Sequence, residues 1–513
     1  MDSPGAYICM FDTQLMSNHC NESDFSFRCL NTTLCSLTHT QDTSTFAFSG
    51  AMVTFTAHRS EPELVRPARR TPRETKALSD LDDQWSLRFY ESIIGFFRSP
   101  PGESVRPGKV AKGIKAAVAA ALVYYYLMAG RLRKIPGGNK LEGPGPRSSP
   151  LDPPLCTGEG VMFVEATADV RLEDLGQPLV PPYPCVEEFL GDAGDTRDVV
   201  GKPLLFLQVT QLKCGGFVMG LHMCHCIADG FAILQFIKSI ADFACGELIP
   251  TTLPVWKRDI FTSRMPPSIT HVYPAYKSFL HGLECTGDDV MLSTPPESME
   301  VQYLFFGPKE IDILRSHVPE HLSKSTTTFE LLTSVMWRCR TLALGYESSQ
   351  KVRLMFTLNT RGRSINGESA VPRGYYGNAH FSPMVEVTVN ELVTKPMAHI
   401  LELMRKIKLD TTNDCMKSMV DLMALWRERS PFSMGRTYEV SDTKWVGGNA
   451  LQFGKAELVA AGTPHAGDFT SKLISYHTKC KNKDGEDSTV VSILLPKSTM
   501  EKFTKEMAIL LKK

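Results

Sequence analysis

A histidine lies where the chain changes from one hydrophobic periodicity to another. Residues 217–236 read FVMGLHMCHCIADGFAILQF, a run of apolar residues without a helical period, then His225 to Gly230, then an amphipathic helical pattern. This order predicts a strand, a short turn and a helix, with the imidazole at the corner between them. Burial at the end of a strand lowers the pKa of an imidazole and keeps it neutral, so we expect His225 to act as a general base.

The aspartate four residues after the histidine has two conceivable roles. Asp229 could hydrogen-bond the imidazole and orient it, as in a catalytic triad, or it could face away and hold the loop through an arginine. The spacing alone leaves both roles open. A lone buried histidine is more often a hydrogen-bonded core residue, and Asp229 is what favours a catalytic role for His225.

Other catalytic chemistries fit the sequence less well. His222, Cys224 and Cys226 share one face of the predicted strand and His225 lies on the other, so we expect no metal site. The sequence contains no G-x-S-x-G elbow, no P-loop, and no G-x-G-x-x-G between a strand and a helix. These absences argue against a serine hydrolase and against nucleotide binding.

Composition and charge narrow the class of protein. The chain has 513 residues, too many for one core, so two domains of similar size are expected. Lys plus Arg and Asp plus Glu number 56 each, which gives no electrostatic reason to expect a nucleic-acid or membrane partner. Residues 116–130 are apolar but too short to span a bilayer, which indicates a buried helix. The 14 cysteines form no CxxC pair and indicate reduced thiols in a cytoplasmic protein.

Helical and strand patterns occur in both halves of the chain, which predicts an α/β fold. Residues 1–51 lack periodicity and any signal- or transit-peptide pattern, and we expect a disordered extension there. A first domain is expected over 52–250, a turn-rich crossover over 251–297 and a second domain over 298–513. The clearest elements are predicted helices at 109–129, 326–344 and, after a capping box of Ser498 and Glu501, near the end, and predicted strands at 161–166, 204–210, 301–306, 352–358 and 490–495.

The segment from His225 to Gly230 resembles the HxxxD(G) motif of the plant BAHD acyl-CoA-dependent acyltransferases. Alone the motif is a weak pattern, but other segments are similar to landmarks of the same family and occur in the same order. They read SEPELVRPARRTPRE (60–74), LSDLDDQ (78–84), YLMAGRLR (126–133), CTGEGVMFVEA (156–166), PVWKRD (254–259), VMWRCRTLAL (335–344) and RGYYGNAHF (373–381). The chain most resembles the group that includes benzyl alcohol O-benzoyltransferases and taxane acyltransferases.

The resemblance implies two chloramphenicol-acetyltransferase-like domains joined by a long crossover loop, with the active-site channel between them. His225 would take the proton of an acceptor hydroxyl, and the acceptor would attack the thioester carbonyl directly and release CoA. Asp229 would hold the loop through an arginine, and Gly230 would permit the tight entry into the helix. Acyl-CoA is then a co-substrate with no bound cofactor and no metal, and a cytoplasmic monomer with small-molecule partners is expected.

Contacts with CoA are suggested at two places. Thr326 and Thr328 belong to a run of hydroxyl residues that opens a predicted helix, whose N-terminal amides suit an anion. Simple capping of the helix explains this run more readily. Arg361 and Arg363 follow a predicted strand and could meet a CoA phosphate, although a solvated loop explains them equally well.

One signature of the family is altered. DFGWG is expected after residues 438–442, where this chain reads ALQFGKA at 450–456. One alignment keeps Phe453 and Gly454, puts Gln452 in place of the aspartate and deletes the Trp-Gly pair. Another matches residues 450–454 directly and puts Ala450 in place of the aspartate. In the family this aspartate pairs with an arginine, for which Arg361 and Arg363 are the candidates here. Without a carboxylate the contact should be weaker, which affects the CoA-side loop more than catalysis.

Two further differences from the family are the N-terminal extension and an insert at 142–155. Three hypotheses remain open. The protein transfers an acyl group to an alcohol, or it uses an amine acceptor with the same site, or it is an inactive ligand-binding relative. The retained His225, Asp229 and Gly230 argue against the third.

Overall fold

The structure is a computed structural model of the 513-residue chain. It describes residues 53–100, 108–134, 141–142, 158–280, 289–362, 371–426, 434–444, 451–464 and 472–512. The predicted N-terminal extension, nearly all of the predicted insert, Arg363 and Ala450 lie outside the described residues.

The strands and helices are numbered here in chain order. The strands are β1 His58–Arg59, β2 Glu63–Val65, β3 Tyr90–Arg98, β4 Arg133–Lys134, β5 Leu141–Glu142, β6 Val161–Ala168, β7 Leu205–Leu212, β8 Phe217–Cys224, β9 Met299–Phe306, β10 Lys351–Phe356, β11 Leu358–Asn359, β12 His380–Phe381, β13 Met384–Thr388, β14 Thr437–Asp442, β15 Gln452–Phe453, β16 Ala456–Gly462, β17 Ile474–Lys481 and β18 Asp487–Pro496. The helices are α1 Lys109–Tyr124, α2 Gly230–Ala244, α3 Pro274–Leu280, α4 Val290–Ser293, α5 Pro308–Ser316, α6 Glu320–Ser323, α7 Thr328–Leu344, α8 Val389–Thr394, α9 Met397–Asp410, α10 Asn413–Trp426 and α11 Lys497–Leu510.

The first sheet carries the strand that ends at His225. Its strand order is β1-β6-β7-β8-β3-β16-β15, with β2 beside β6. Every residue of β7 and β8 is buried, so both faces of the sheet centre are covered. Helices α1 and α2 share a core with these strands, because their apolar stripes, including Val118 and Phe236, face inward. A strand that is buried on both faces needs apolar side chains on both, which explains the continuous apolar run of β8.

The second sheet lies in the C-terminal half of the chain. Its strand order is β13-β10-β14-β17-β18-β9. Helices α7 and α11 share a core with this sheet, in which Trp337 and Phe503 are fully buried. Each sheet thus has its own hydrophobic core with its own helices, as the predicted two-domain α/β architecture requires.

A hairpin from the second half of the chain joins the first sheet. Strand β16 pairs antiparallel with β3, and β15 follows at the edge. Phe453 of β15 is buried and lies edge-to-face on Phe97, with ring centroids 5.1 Å apart. The hairpin covers the edge that β3 would otherwise expose. A single boundary at residue 298 therefore does not separate the two sheets.

Two local predictions need correction. Helix α1 ends at Tyr124 and is followed by a 3₁₀ turn over Tyr126–Ala129, because Tyr125 leaves the helical conformation while the apolar residues after it stay buried. The capping box at Ser498 and Glu501 does not form, since α11 already begins at Lys497, directly after Pro496. Within the described residues, no helix has the length and apolar character needed to cross a membrane.

Candidate active site

The corner predicted from the sequence is present. Strand β8 ends at Cys224, and the backbone N–H of His225 donates to the carbonyl of Phe89 at 2.8 Å. Helix α2 begins at Gly230, and the side chain of Asp229 caps it by accepting from the Ala232 N–H at 3.0 Å. The aspartate therefore satisfies an N–H that the first turn of a helix leaves without a partner.

The imidazole of His225 is half-buried between aromatic neighbours. Its ring centroid lies 5.3 Å from that of Phe89 and 5.9 Å from that of His380. Its Nδ1 atom is buried and has no hydrogen-bond partner among the described residues. Burial, with a smaller contribution from His380, lowers the pKa of His225 to about 4. The ring is therefore neutral near neutral pH and able to accept a proton.

Asp229 turns towards an arginine and forms no hydrogen bond with His225 among the described residues. Its two carboxylate oxygens accept from Arg361 Nη1 and Nη2 at 2.8 and 2.9 Å. A third bond comes from the Ala379 N–H at 2.9 Å, and His380 Nδ1 lies 3.8 Å away. Burial alone would raise the pKa of Asp229, but His380 and Arg361 outweigh it and hold the pKa well below its usual range. The carboxylate is therefore ionised and engaged on several sides.

A second buried charge pair holds the same loop. Asp82 Oδ1 accepts from Arg258 Nη1 at 2.7 Å, and both side chains are buried. Asn378 donates to the same oxygen from its backbone N–H and from Nδ2, each at 2.9 Å. From this cluster Arg258 Nη2 donates to the Ile227 carbonyl at 2.8 Å, and Asn378 Nδ2 to the His225 carbonyl at 2.9 Å. The loop that carries the imidazole is thus held at two carbonyls.

The residue patterns alone indicate no role for Asp82, Arg258, Asn378 or His380. All four lie within segments that resemble landmarks of the family, at 78–84, 254–259 and 373–381. A carboxylate or an arginine that is buried requires a partner, and this requirement is the one indication that Asp82 and Arg258 form a pair. The partners are 176 and 296 residues away from Asp82, so spacing along the chain could not pair them.

The hydroxyl run before α7 is occupied by local bonds. Thr327 and Glu330 form a capping box at the start of the helix. The buried Thr326 donates from its hydroxyl to the Leu322 carbonyl at 2.8 Å and accepts from Arg405 at 3.0 Å. Thr328 is the first residue of α7 and is half-buried. These contacts favour capping over anion binding for Thr326 and Thr328.

The altered signature packs on the first sheet. Gln452 and Phe453 form β15, and Gly454 turns the chain into β16 with a left-handed φ of 62° that favours glycine. Arg361 is engaged by Asp229 and by the Gly377 carbonyl at 2.8 Å. This arginine therefore has a carboxylate partner even though the signature lacks one.

The second histidine of β8 also has a defined environment. His222 Nδ1 lies 2.8 Å from the Ser92 hydroxyl, and Nε2 lies 2.8 Å from the Gly191 carbonyl. Because a carbonyl only accepts, Nε2 carries the proton and Nδ1 accepts from the serine. Across the described part of the chain, no group of three or more His, Cys, Asp or Glu residues is arranged to hold a metal ion.

The chain matches a known family over most of its length. The model described as "Transferase family" matches residues 51–510. Acyl transferase 1 of Oryza sativa subsp. japonica is 55% identical over 481 residues, which cover 90% of this chain and 97% of that protein. Spermidine hydroxycinnamoyltransferase 1 of the same organism is 47% identical over 431 residues (83% and 93%). Benzyl alcohol O-benzoyltransferase of Petunia hybrida is 42% identical over 460 residues (89% and 94%).

Solved structures share the fold at low sequence identity. Vinorine synthase has a TM-score of 0.65 at 18% identity, covering 88% of this chain and 98% of that chain. TRI101 of F. sporotrichioides, solved with coenzyme A and T-2, has a TM-score of 0.59 at 15% identity, covering 84% and 97%.

The two-sheet fold and the histidine corner, together with these matches, define an acyl-CoA-dependent acyltransferase. The chain belongs to the BAHD acyltransferases, the family described as "Transferase family".

Proposed function

We propose that the protein transfers an aromatic or short aliphatic acyl group from acyl-CoA to an alcohol and forms an ester, with His225 as the general base. The observation that carries this proposal is the neutral, half-buried imidazole at the end of β8, whose loop is held at the carbonyls of His225 and Ile227. A general base must be unprotonated and held in place before it can accept a proton from the acceptor.

The proposed reaction is a direct attack. A ring nitrogen of His225 takes the proton of the acceptor hydroxyl as the oxygen attacks the thioester carbonyl and a tetrahedral oxyanion forms. Collapse of this intermediate breaks the carbon–sulfur bond, and the imidazolium returns the proton to the departing sulfur. A thiol has a pKa of about 8.5 and is a good leaving group, so no covalent enzyme intermediate is needed.

Asp229 is proposed to act as a positioning residue for this base. Its capping of α2 and its two-point pair with Arg361 tie the start of the helix to the segment after β11. Gly230, as the first residue of α2, is proposed to permit the close entry into that helix. Neither residue is assigned a proton-transfer step.

The alcohol acceptor is supported by the names of relatives. Benzyl alcohol O-benzoyltransferase of Petunia hybrida and an alcohol acyl transferase of Malus domestica, 40% identical over 448 residues, are both named for alcohols. The second candidate is an amine acceptor at the same site, which the name of the 47% identical spermidine hydroxycinnamoyltransferase favours. An inactive relative is less well supported, because the proposed base and its positioning contacts are intact.

The remaining features belong to the same proposal. The two sheets would form two domains joined by the crossover at 251–297, with acyl-CoA and acceptor meeting at His225 between them. The balanced charge and the described cysteines, all free thiols, support a cytoplasmic enzyme that acts as a monomer on small molecules.

A thiol-release assay tests the function. The protein is incubated with benzoyl-CoA or acetyl-CoA and a panel of alcohols and amines, and free CoA thiol is followed with time. We expect release that depends on the acceptor, and a loss of most turnover in His225→Ala with CoA binding retained. The absence of acceptor-dependent release across the panel would contradict the proposal, and near-normal turnover in His225→Ala would remove the role of that residue.

A further inference from the structure

A carboxylate near His380 has no role in the proposed reaction. Glu439 lies on β14 and is half-buried. Its neighbours on that strand, Tyr438 and Val440, are fully buried on the side of α7, so strand alternation directs Glu439 to the opposite face. Its side chain accepts no hydrogen bond and forms no ion pair with the described residues, which is unusual for a carboxylate away from the surface.

Contacts connect this face of β14 to the active site. Glu439 is directly opposite Met355 of the neighbouring β10. The Tyr276 hydroxyl lies 3.6 Å from the sulfur of Met355 and donates to the Ser382 carbonyl at 2.9 Å. Ser382 is two residues after His380, whose ring faces that of His225 at 5.9 Å. The electrostatic effect of His380 on Glu439 indicates that this histidine lies near both Glu439 and the proposed base.

An aromatic pair lies near this carboxylate, since burial and then the nearby charge of Glu439 raise the pKa of Tyr276. Trp426, at the end of α10, stacks on Tyr276 with ring centroids 5.8 Å apart and planes 22° apart. Burial raises the pKa of Glu439 to about 7, and His380 opposes this effect. The His380 imidazole itself turns its Nδ1 towards Asp229, so it does not neutralise Glu439 by an ion pair. A half-buried carboxylate without a partner favours any cation that can reach it.

We propose that Glu439 forms a subsite, with Tyr276 and Trp426 beside it, that binds a protonated amino group of the acyl acceptor. This inference rests on the proposed function and deepens it. The acceptor class is an aliphatic molecule with a hydroxyl or amine that reacts at His225 and an ammonium group several bonds away. The ammonium supplies the charge and hydrogen bonds that Glu439 lacks, and the aromatic surroundings exclude water and strengthen the attraction.

The test compares two acceptors that differ only at the far end. Terminal aminopentanol carries an ammonium group where n-hexanol carries a methyl group. With benzoyl-CoA or acetyl-CoA as donor, ester formation is measured by mass spectrometry, and kcat/KM is determined for each acceptor. We expect Glu439→Gln to lower kcat/KM for aminopentanol about tenfold and to leave that for n-hexanol nearly unchanged, because only the charged acceptor loses a charge-assisted contact.

A control variant separates this effect from a general loss of charge. Glu165 on β6 is also a half-buried glutamate, and Glu165→Gln should leave the ratio of the two kcat/KM values unaltered. Thermal unfolding of both variants checks that the fold is retained. In Glu439→Asp, which restores the charge, part of the preference for aminopentanol should return.

The outcomes distinguish this subsite from the function itself. If the protein acylates both acceptors but Glu439→Gln leaves the ratio of their kcat/KM values unchanged, the cation subsite is wrong while the transferase function stands. If neither acceptor is acylated and no alcohol or amine in the wider panel releases thiol, the proposed function fails first. A lower pH gives a further check, since protonation of Glu439 below pH 7 should raise KM for aminopentanol and not for n-hexanol.

Discussion

Asp229 and Arg361 form a two-point ion pair although 132 residues separate them in the chain. The carboxylate is almost fully buried and the guanidinium is largely so, with side-chain exposures of 6% and 20%. The pair joins the first turn of α2 to the segment after β11. Helix α2 packs on the first sheet, whereas β11 follows β10 of the second sheet in the chain. In the proposed mechanism this junction positions the loop that carries His225.

Loss of the charge on Asp229 should destabilise the protein as well as slow it. Asp229→Asn leaves Arg361 without its carboxylate partner, and breaking a buried pair from one side costs about 3 kcal/mol. We expect a lower free energy of unfolding in urea together with a lower kcat. Asp169→Asn, which removes an exposed pair with Lys213, is the control and should change stability little. A slower enzyme of unaltered stability would instead indicate that Asp229 orients the imidazole directly.

The pH dependence of turnover should reflect the low pKa of His225. A base with a pKa of about 4 stays neutral down to that pH, so kcat/KM for a neutral alcohol should be level from about pH 6 to 8 and fall only near pH 4. Because the charge of His380 contributes to this shift, His380→Asn should move the acid limb to higher pH. Initial rates with n-hexanol, alongside circular dichroism to monitor unfolding, measure the limb. An acid limb at the ordinary histidine value of 6.5 in the unmodified protein would contradict the assignment.

Asn378 should affect turnover more than substrate binding. Its Nδ2 group holds the carbonyl of His225 and also bonds Asp82, so Asn378→Ala removes one of the two side-chain bonds to carbonyls of the loop. We expect kcat to fall about tenfold or more, since small displacements of a base are costly, while KM for acyl-CoA changes little. Steady-state kinetics with both substrates varied provide the readout. A rise in KM at constant kcat would show that Asn378 serves binding instead.

A buried histidine in the second sheet should limit stability in acid. His477 on β17 is fully buried, neither ring nitrogen has a hydrogen-bond partner among the described residues, and burial lowers its pKa to about 3. The unfolded chain binds a proton near pH 6.5 and the folded chain does not, so stability falls as the pH drops below 6.5. His477→Phe, which suits the neighbouring Phe329 ring 5.3 Å away, should remove this loss, about 2 kcal/mol at pH 5. Urea unfolding at pH 5 and pH 7 tests it, and an equal pH dependence in both proteins would refute it.

Restoring the missing carboxylate of the altered signature should have little effect. Arg361 already pairs with Asp229, so Gln452→Asp introduces a charge at an exposed strand position that this arginine does not need. We expect unchanged kcat and KM for acyl-CoA. Phe453→Ala is the contrasting variant, because it empties a buried site beside Phe97 and should cost about 3 kcal/mol of stability. A gain in activity on Gln452→Asp would show that the lost carboxylate matters.

The corner at His225 could be predicted because its signal is local. An apolar run, a turn and an amphipathic helix follow one another within residues 217–236, and each has its own periodicity. The structure places β8 at 217–224 and α2 from 230, as the pattern indicates. The resemblance to a family, confirmed by the match over residues 51–510, supplied the two-sheet architecture that periodicity alone does not specify.

The groups around the corner could not be predicted in the same way. Asp82, Arg258 and Asn378 meet only in the folded chain, and a single sequence records no long-range pairing. Glu439 is similar, because strand alternation predicts its face but not that His380 lies near it. The exact start of a helix is also poorly specified by local sequence. Helix α11 begins at Lys497, without the predicted capping box.

The pairing of β16 with β3 has a consequence for the order in which the protein can fold. Arg98 is paired with Glu457, so a ribosome must translate nearly the whole chain before the first sheet is complete. Until then the edge of β3 lies open, and a nascent chain with an open edge is prone to pair with a neighbour. A fragment that ends before residue 452 would keep this exposed edge permanently. The first half of the protein is therefore dependent on the last part of the chain to be synthesised.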